Sequence, residues 1–244
     1  MLEKLKKHFN KTTETTDNKV VKGNILVIGD LHEPFCLDGY LDFCIAQYKK
    51  WDCKSVVLIG DIIDNHYTSF HETSNADELL TGADELTLAK KRIARWYKAF
   101  GKKGTKVIIG NHDRLIMRKA QTSAIPKEWI KSYKDVLNVP NWDFVERYEV
   151  NGVQFCHGEG GTARTKCRAD MQNTVQGHLH TQAYIEHYVG RNFRIYGMQV
   201  GCGIDFDKFS FSYAKAGRKP AIGCGVIADD GQLPISLLMD LGSK

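Results

Sequence analysis

The chain has 244 residues, of which 42% are hydrophobic and 26% charged, with a formal net charge of +5. This composition is typical of a globular protein and excludes fibrous and largely disordered classes. The longest apolar runs are only a few residues long, whereas a transmembrane helix needs roughly 20, so we expect no membrane span.

The seven cysteines are an odd number and include no CxxC pair, which argues against a disulfide framework and against a zinc ribbon. The first residues also lack the apolar segment of a secretory signal. We therefore expect reduced thiols and a cytoplasmic location. Residues 1–22 are polar and rich in threonine, which predicts a loose tail or one short peripheral helix. A single domain is expected over 23–244.

Three short apolar runs in the first half end in Gly-Asp or Gly-Asn, at 24–29, 55–60 and 106–110. Each is typical of a buried strand that leads into a polar loop. Helical spacing of apolar residues predicts helices over 38–50 and 83–100, the second with one apolar stripe and a basic opposite face. A helix between two strands of one sheet requires parallel pairing, so this half is predicted to be βαβ.

The second half has short extended runs separated by turn residues. Asn151-Gly152 lies between two such runs, which is a strong hairpin signal. We predict mostly antiparallel strands here, over 143–150, 153–156, 184–189, 193–199, 222–228 and 233–239. The two halves together predict an α/β fold in which two sheets pack face to face with helices outside.

Polar side chains follow the predicted strands in a fixed order: GDLHE, GDIID, GNHD, FCHGE and GHLH. Loops at the carboxyl ends of strands are where α/β sheets bind ligands, and carboxylate, carboxamide and imidazole groups together suit borderline divalent metals. A single Gly-Asp is common turn chemistry, and a single histidine often caps or hydrogen-bonds. Five such elements in order, each at a strand end, favour a metal site. The residues concerned are Asp30, His32, Asp61, Asp64, Asn111, His112, Asp113, His157, His178 and His180.

This ordered set of motifs resembles the calcineurin-like metallophosphoesterase superfamily over residues 24 to about 200. The resemblance implies a four-layer α/β/β/α sandwich of two mixed β-sheets flanked by helices. It also implies two divalent metal ions, with manganese expected and iron or zinc compatible with the donors. By position, Asp30, His32 and His180 would hold one ion, Asn111, His157 and His178 the other, and Asp61 would bridge them.

The same resemblance makes His112 the acid that protonates the leaving group, with Asp113 orienting it. Imidazole suits this step because it titrates near neutral pH. Asp64 has two open interpretations: a residue behind a histidine ligand, or a loop or helix-cap residue.

The expected substrate is a phosphodiester of nucleic-acid or nucleotide type. The protein serine/threonine phosphatase branch carries Arg-Gly after its second motif and Glu after GNH, whereas this chain has Asn65-His66 and Asp113. A phosphomonoesterase acting on a small metabolite and a non-catalytic metal-binding scaffold are the alternatives. The candidate substrate-binding residues are His66, Arg114, Arg164 and Arg168, although the last two also suit a plain surface loop.

Residues 86–134 hold fourteen Lys or Arg against two acids. This basic 90–134 stretch suits either a solvated helix face or contact with nucleic acid. Tyr67, Phe70 and Trp142 are candidates for stacking on bases or for packing in the core.

Overall fold

The computed structural model describes residues 14–16, 20–68, 81–158, 161–208 and 219–242. Its strands are β1 (Glu14–Thr16), β2 (Asn24–Ile28), β3 (Cys53–Leu58), β4 (Lys106–Ile108), β5 (Asp143–Val145), β6 (Arg147–Val150), β7 (Val153–Cys156), β8 (Asn173–Gln176), β9 (Tyr184–Val189), β10 (Arg194–Gln199), β11 (Gly223–Ala228) and β12 (Leu233–Leu238). The α-helices are α1 (Tyr40–Lys50), α2 (Gly82–Phe100), α3 (Leu115–Thr122), α4 (Tyr133–Leu137) and α5 (Ala163–Asp170). Short 3-10 helices cover His66–Thr68, Lys127–Trp129 and Asp229–Gly231.

The strands form two mixed sheets. The first sheet has the order β12-β11-β2-β3-β4-β5, with parallel pairing from β2 to β5. The second has the order β1-β6-β7-β8-β10-β9. One core lies between the first sheet and α1 and α2, and another lies between the two sheets. Helix α5 packs on β8 and β10. The predicted α/β sandwich of two mixed sheets flanked by helices is confirmed.

The first half follows the prediction closely. The three buried strands form adjacent members of the first sheet, and α2 connects β3 to β4. Helix α2 begins after Thr81, whose hydroxyl accepts a hydrogen bond from the Asp84 N–H at 3.2 Å. Its apolar stripe is buried through Ile93, Trp96 and Phe100, which leaves the basic face outward. The parallel order therefore brings three Gly-Asp or Gly-Asn loops to one edge of the sheet.

The predicted strand over 143–150 is wrong, because two strands occupy this span. Strand β5 pairs with β4 in the first sheet, and β6 pairs with β7 in the second. Glu146 alone separates them, so the chain passes from one sheet to the other at this residue. The hairpin that follows is confirmed, since Asn151 and Gly152 both have positive φ, at 53° and 73°.

Three further features of the structure differ from expectation. The segment around Arg164 and Arg168 is the helix α5 and not a loop, and β8 follows it as an unpredicted strand. The second sheet is less antiparallel than expected, since the β1–β6, β7–β8 and β8–β10 pairs are parallel. Within the expected polar tail, Glu14–Thr16 forms a strand along β6. The single domain over 23–244 stays a prediction.

The helices of the described residues include none that is both long and apolar enough to cross a bilayer. All seven cysteines are free and buried.

Candidate metal centre

The candidate site lies where loops from both sheets meet. The first sheet brings the loops after β2, β3 and β4, and the second brings those after β7 and β8. The two parallel blocks place these loops at the carboxyl ends of their strands, as the sequence predicts. Eight of the predicted site residues meet there: Asp30, His32, Asp61, Asn111, His112, His157, His178 and His180.

Backbone hydrogen bonds tie the first two loops together. The N–H groups of Leu31 and His32 donate to the Asp61 carbonyl at 3.1 and 2.8 Å. His32, Asp61 and His178 have positive φ values of 47°, 46° and 71°. Such backbone conformations are sparsely populated in non-glycine residues, and they persist where surrounding contacts fix them. The loops thus hold their side chains in preset directions.

One group of ligand atoms comes from both sheets. Asp30, His32, Asp61 and His180 each offer an atom, and these atoms lie within 4.8 Å of one another. His180 Nε2 lies 3.1 Å from Asp30 Oδ2 and 3.2 Å from His32 Nε2. His32 Nδ1 is 2.6 Å from Asp64 Oδ1, so Nδ1 donates and Nε2 carries the lone pair. The Nε2 atom of His32 therefore faces the other donors as a ligand would.

A second group shares Asp61. It contains Asp61, His157 and His178, again within 4.8 Å. His157 Nδ1 donates to the Ile59 carbonyl at 3.0 Å, which turns Nε2 toward the other donors. This Nε2 lies 3.0 Å from Asp61 Oδ2 and 2.9 Å from Asn111 Oδ1. One imidazole nitrogen so close to two oxygen acceptors requires a positive charge among them, and either a proton on Nε2 or a divalent ion supplies it.

The electrostatics of the site also favour a cation. Burial lowers the pKa of His157, but the negative charges of Asp61 and Asp30 outweigh burial and raise it to about 10. Burial raises the pKa of Asp61, but His157 and His32 outweigh it and lower the pKa well below its usual range. Asp30 Oδ1 is buried and accepts no hydrogen bond from the described part of the chain. The field around these two aspartates thus stabilises positive charge.

Glycines make room for both carboxylates. A Cβ atom on Gly110 would lie 2.1 Å from Asp61 Oδ1, and one on Gly177 would lie 2.4 Å from Asp30 Oδ1. Neither position can carry a larger residue without moving a carboxylate. The glycine in GNHD and the glycine in GHLH are therefore part of the site geometry.

His112 lies at the edge of these groups, with 17% of its side chain exposed. Its backbone N–H donates to Asp61 Oδ1 at 2.8 Å, and its Nδ1 donates to the Asp64 carbonyl at 2.7 Å. Asp64 Oδ1 is 3.3 Å from the same nitrogen. Burial lowers the pKa of His112, but Asp64 and Asp61 outweigh it and raise it to about 9. Asp64 thus contacts both His112 and His32.

The hydrogen bonds of Asp113 go to the backbone, so its predicted role in orienting the His112 ring stays a prediction. Its Oδ2 accepts the Gly110 N–H at 2.8 Å, and its Oδ1 accepts those of Ile62 and Ile63 at 3.2 and 3.4 Å. Burial and the charge of Asp61 raise the pKa of this carboxyl to about 7. Asp113 joins the third loop to the second, and the carboxylate beside His112 is that of Asp64.

The other predicted residues have partners of different kinds. Arg114 pairs with Glu146 at the crossover between the sheets. His66 is 3% exposed, and its backbone N–H donates to Glu85 Oε1 at 2.9 Å. On α5, the Arg164 guanidinium lies over the ring of Tyr184 and Arg168 over that of Tyr188.

Of the three aromatic candidates, Trp142 is fully buried, so it belongs to the core and cannot stack on a base. Tyr67 is 44% exposed. Phe70 lies outside the described residues.

A buried network holds the first loop, and no sequence motif marks it. Glu33 accepts a hydrogen bond from Arg92 and, at 2.9 Å, from the Trp96 indole. Arg92 also donates to the Cys36 carbonyl at 2.6 Å and to Asp38 at 3.1 Å. The network ties the loop that carries Asp30 and His32 to α2. Its members are separated by about sixty residues, so only the folded chain brings them together.

The fold and this donor set define a protein with a buried candidate metal centre at the junction of two sheets. The family model for calcineurin-like phosphoesterases matches residues 23–189, and the chain belongs to this family. The match includes every residue of the two ligand groups. No curated protein matches the sequence significantly.

Comparison with solved structures finds matches that extend over most of the chain. Yfce, a phosphoesterase from E. coli, is 11% identical with a TM-score of 0.40, and the match covers 84% of this chain and 88% of Yfce. Vacuolar Protein Sorting 29 from Cryptosporidium parvum is 14% identical with a TM-score of 0.44, over 91% and 94% of the chains. The nuclease MPE from Pseudomonas putida is 14% identical with a TM-score of 0.37, over 87% and 86%.

Proposed function

We propose that this protein is a metal-dependent phosphodiesterase with two divalent ions beside Asp61. The observation that carries the proposal is the convergence of His157 Nε2, Asp61 Oδ2 and Asn111 Oδ1, with His157 3.0 and 2.9 Å from the other two. The first ion is assigned to Asp30, His32, Asp61 and His180. The second is assigned to Asp61, Asn111, His157 and His178.

The residues of the chain have distinct roles in this proposal. When bound, the two ions would supply Lewis acidity to the phosphoryl group and to an attacking water. His112 is assigned the transfer of a proton to the departing oxygen, and Nε2 is the atom that transfers it because Asp64 holds Nδ1. Asp64 positions His112 and His32, and Asp113 positions the GNHD loop.

Manganese is the proposed metal, because both groups consist of oxygen and imidazole donors without a thiolate. A diester substrate is supported by a departure from the protein serine/threonine phosphatase branch. Asn65 and Asp113 stand where that branch has Arg and Glu. The proposal includes a cytoplasmic location, which the seven free, buried thiols support.

The test compares bis(p-nitrophenyl) phosphate with the monoester on metal-stripped protein to which Mn²⁺, Fe²⁺ or Zn²⁺ is returned. Metal content measured by mass spectrometry accompanies each rate. Asp61→Asn and His112→Ala are compared with Asp52→Asn, an exposed aspartate that pairs only with Lys54 among described side chains. We expect metal-dependent diester hydrolysis that both site variants lose and the control retains.

The two site variants separate metal binding from proton transfer. We expect Asp61→Asn to lose bound metal, whereas His112→Ala keeps it and loses turnover. Hydrolysis of the monoester alone would replace the diesterase with a phosphomonoesterase. Stoichiometric metal without turnover of either ester would favour a scaffold.

A further inference from the structure

Residues 114–133 form an arm that starts and ends at the candidate metal centre. The arm leaves the GNHD loop directly after Asp113. It returns at Tyr133, whose hydroxyl donates to the Asp113 carbonyl at 3.2 Å. Whatever binds to this arm is therefore held beside the loop that carries Asn111 and His112.

The arm is folded although much of it is exposed. Helix α3 ends at Thr122, and the chain turns back so that the Ile125 N–H donates to the Ala120 carbonyl at 2.8 Å. The 3-10 helix Lys127–Trp129 packs against α3. Residues 121–129 are all exposed. The arm thus presents a fixed surface to solvent.

Trp129 is the most unusual residue of this surface, because its side chain is 83% exposed. Trp96 and Trp142, by contrast, are at most 1% exposed. Ile116 and Ile125 on the same arm are 40% and 47% exposed. Large apolar groups exposed on one short segment are typical of a binding surface, and a flat indole offers a face for stacking.

The net positive charge of the arm favours an anionic partner. Residues 114–133 include five Lys or Arg and one acid, Glu128. Lys127 and Lys131 precede and follow Trp129 by two residues in the sequence, and both are exposed. An exposed ring with cations nearby in the chain suits a chain of phosphates with unstacked bases, since single strands bind through base stacking and phosphate contacts. A duplex offers no free base face to the indole.

A second exposed aromatic residue stands on a turn that contacts the arm. Helix α3 contacts the 3-10 helix His66–Thr68, on which Tyr67 is 44% exposed. Glu85 fixes this turn by accepting the backbone N–H of His66 at 2.9 Å and that of Tyr67 at 3.4 Å. Two exposed aromatic residues therefore stand on 3-10 helices that contact α3, and one of these helices follows Asp64 in the chain.

We propose that the arm binds single-stranded nucleic acid, with a base stacked on Trp129 and adjacent phosphates on Lys127 and Lys131. A strand bound in this way continues over α3 toward Tyr67 and the metal centre. Cleavage of the strand rests on the proposed function, but binding does not, since it needs no metal.

The test measures binding of a fluorescently labelled oligothymidylate by anisotropy at low salt in EDTA, so that no strand is cleaved. We expect Trp129→Ala to weaken binding roughly tenfold, as for the loss of one base–aromatic stack. Lys127→Ala/Lys131→Ala should reduce the slope of log K against log salt by about 1.4, since each phosphate contact on a single strand contributes about 0.7. The same oligonucleotide in duplex form should bind more weakly to the wild type and respond little to Trp129→Ala.

The matched control is Lys98→Ala/Lys102→Ala, which removes two exposed lysines at the far end of α2, roughly 20 Å along the helix from Glu85. We expect it to change binding by less than either arm variant. Equal effects of the control and arm lysines, or unchanged affinity in Trp129→Ala, would overturn the proposal. So would tighter binding of phosphatidylserine vesicles than of the oligonucleotide, which would assign the arm to a lipid surface.

Failure of this inference is distinguishable from failure of the proposed function. Trp129→Ala should hydrolyse bis(p-nitrophenyl) phosphate at the wild-type rate, because this small diester does not span the arm. If the protein binds the strand but hydrolyses no ester, the inference about the arm stands and the phosphodiesterase proposal fails. If it hydrolyses the small diester but does not bind the strand, the phosphodiesterase proposal stands and the inference about the arm fails.

Discussion

The two sheets contribute chemically different groups to the candidate metal centre. The loops of the first sheet carry all the oxygen donors and one imidazole: Asp30, His32, Asp61 and Asn111. Those of the second sheet carry only imidazoles, from His157, His178 and His180. The first sheet therefore sets the negative field, and the second completes each group with imidazole donors. Neither sheet alone contains a full set.

The two sheets also differ in how their loops are held. Backbone hydrogen bonds and Asp113 tie the first three loops to one another. The loops of the second sheet are held to the first through contacts across the site, such as the His178 N–H to Asp30 Oδ2 at 2.9 Å and His157 to the Ile59 carbonyl. We expect damage to a first-sheet loop to affect both groups, and damage to a second-sheet loop to affect one.

The largest effect is expected from Asp61→Asn, compared with His178→Asn. Asp61 belongs to both ligand groups, whereas His178 belongs to one. Loss of Asp61 should lower diester turnover by at least about a thousandfold, since dimetal stabilisation is worth several kcal/mol. Metal analysis should find His178→Asn with half the wild-type content and Asp61→Asn with less. Equal losses in the two variants would contradict the asymmetry.

A smaller but still large effect is expected from the two site glycines. In Gly110→Ala the new methyl group meets Asp61 Oδ1, and in Gly177→Ala it meets Asp30 Oδ1. Displacing a ligand by an ångström can lower kcat roughly a hundredfold, and overpacking should reduce the free energy of unfolding by about 1 to 3 kcal/mol. Steady-state kinetics and urea denaturation measure the two effects.

The control for these glycines is Gly104→Ala. A Cβ at Gly104 meets nothing within 4 Å, although its φ of 60° adds backbone strain. This variant should lose about 1 kcal/mol of stability and no activity. If activity falls in proportion to stability in all three variants, Gly110 and Gly177 have no specific role in the geometry of the site.

Asp64→Asn should lower kcat by about 10- to 100-fold, as is typical when a partner behind a metal-ligand histidine is lost. Asp64 contacts His32 on the metal side and His112 on the proposed acid side. Because Asp64 acts by positioning His32 and His112, KM should change less than kcat. Asp113→Asn is the comparison, and it should mainly reduce stability, since Asp113 accepts three backbone N–H groups. The reverse pattern would return the catalytic role to Asp113.

The smallest difference is expected between the thiols of the two sheets. Cys53 packs with the first sheet, where burial raises its pKa to about 12, and Cys167 lies on α5 beside the second, where burial raises its pKa to about 11. Neither should react with a thiol reagent in the native protein. If 23–244 is one domain, both should become reactive at the same urea concentration, as peptide mapping can measure. Separate midpoints would divide the chain into two units.

Much of the first sheet could be predicted from sequence because each signal there is local. A continuous apolar run before Gly-Asp indicates a buried strand, and the pattern of α2 indicates which face it buries. The eight residues that meet at the site were predicted from the same motifs. The role of Asp64 stays open at the level of sequence, because nothing in GDIID indicates that its second aspartate reaches two histidines.

The second sheet was predicted less well because its signals depend on contacts distant in sequence. Strand β8 reads Asn-Thr-Val-Gln, yet it is buried throughout. The Gln154 amide donates to the Thr174 hydroxyl at 2.9 Å, and the Gln176 amide donates to the Gly161 carbonyl at 2.6 Å. These bonds offset the burial of polar groups, but their partners are invisible in a local pattern. The change of sheet at Glu146 could not be predicted from the sequence for the same reason, since β5 and β6 differ only in which strands they pair with.

The strand order of the first sheet has a consequence for the biogenesis of the protein. β2, which leads to Asp30 and His32, is an inner strand only because β11 pairs along it. Residues 223–238 are translated after every residue of the candidate site, so on the ribosome the nascent chain exposes one edge of β2 until they emerge. Its sequence, NILVI, is apolar, and an open edge of this kind attracts other chains. The nascent chain is thus most open to pairing with other chains before its last hairpin docks.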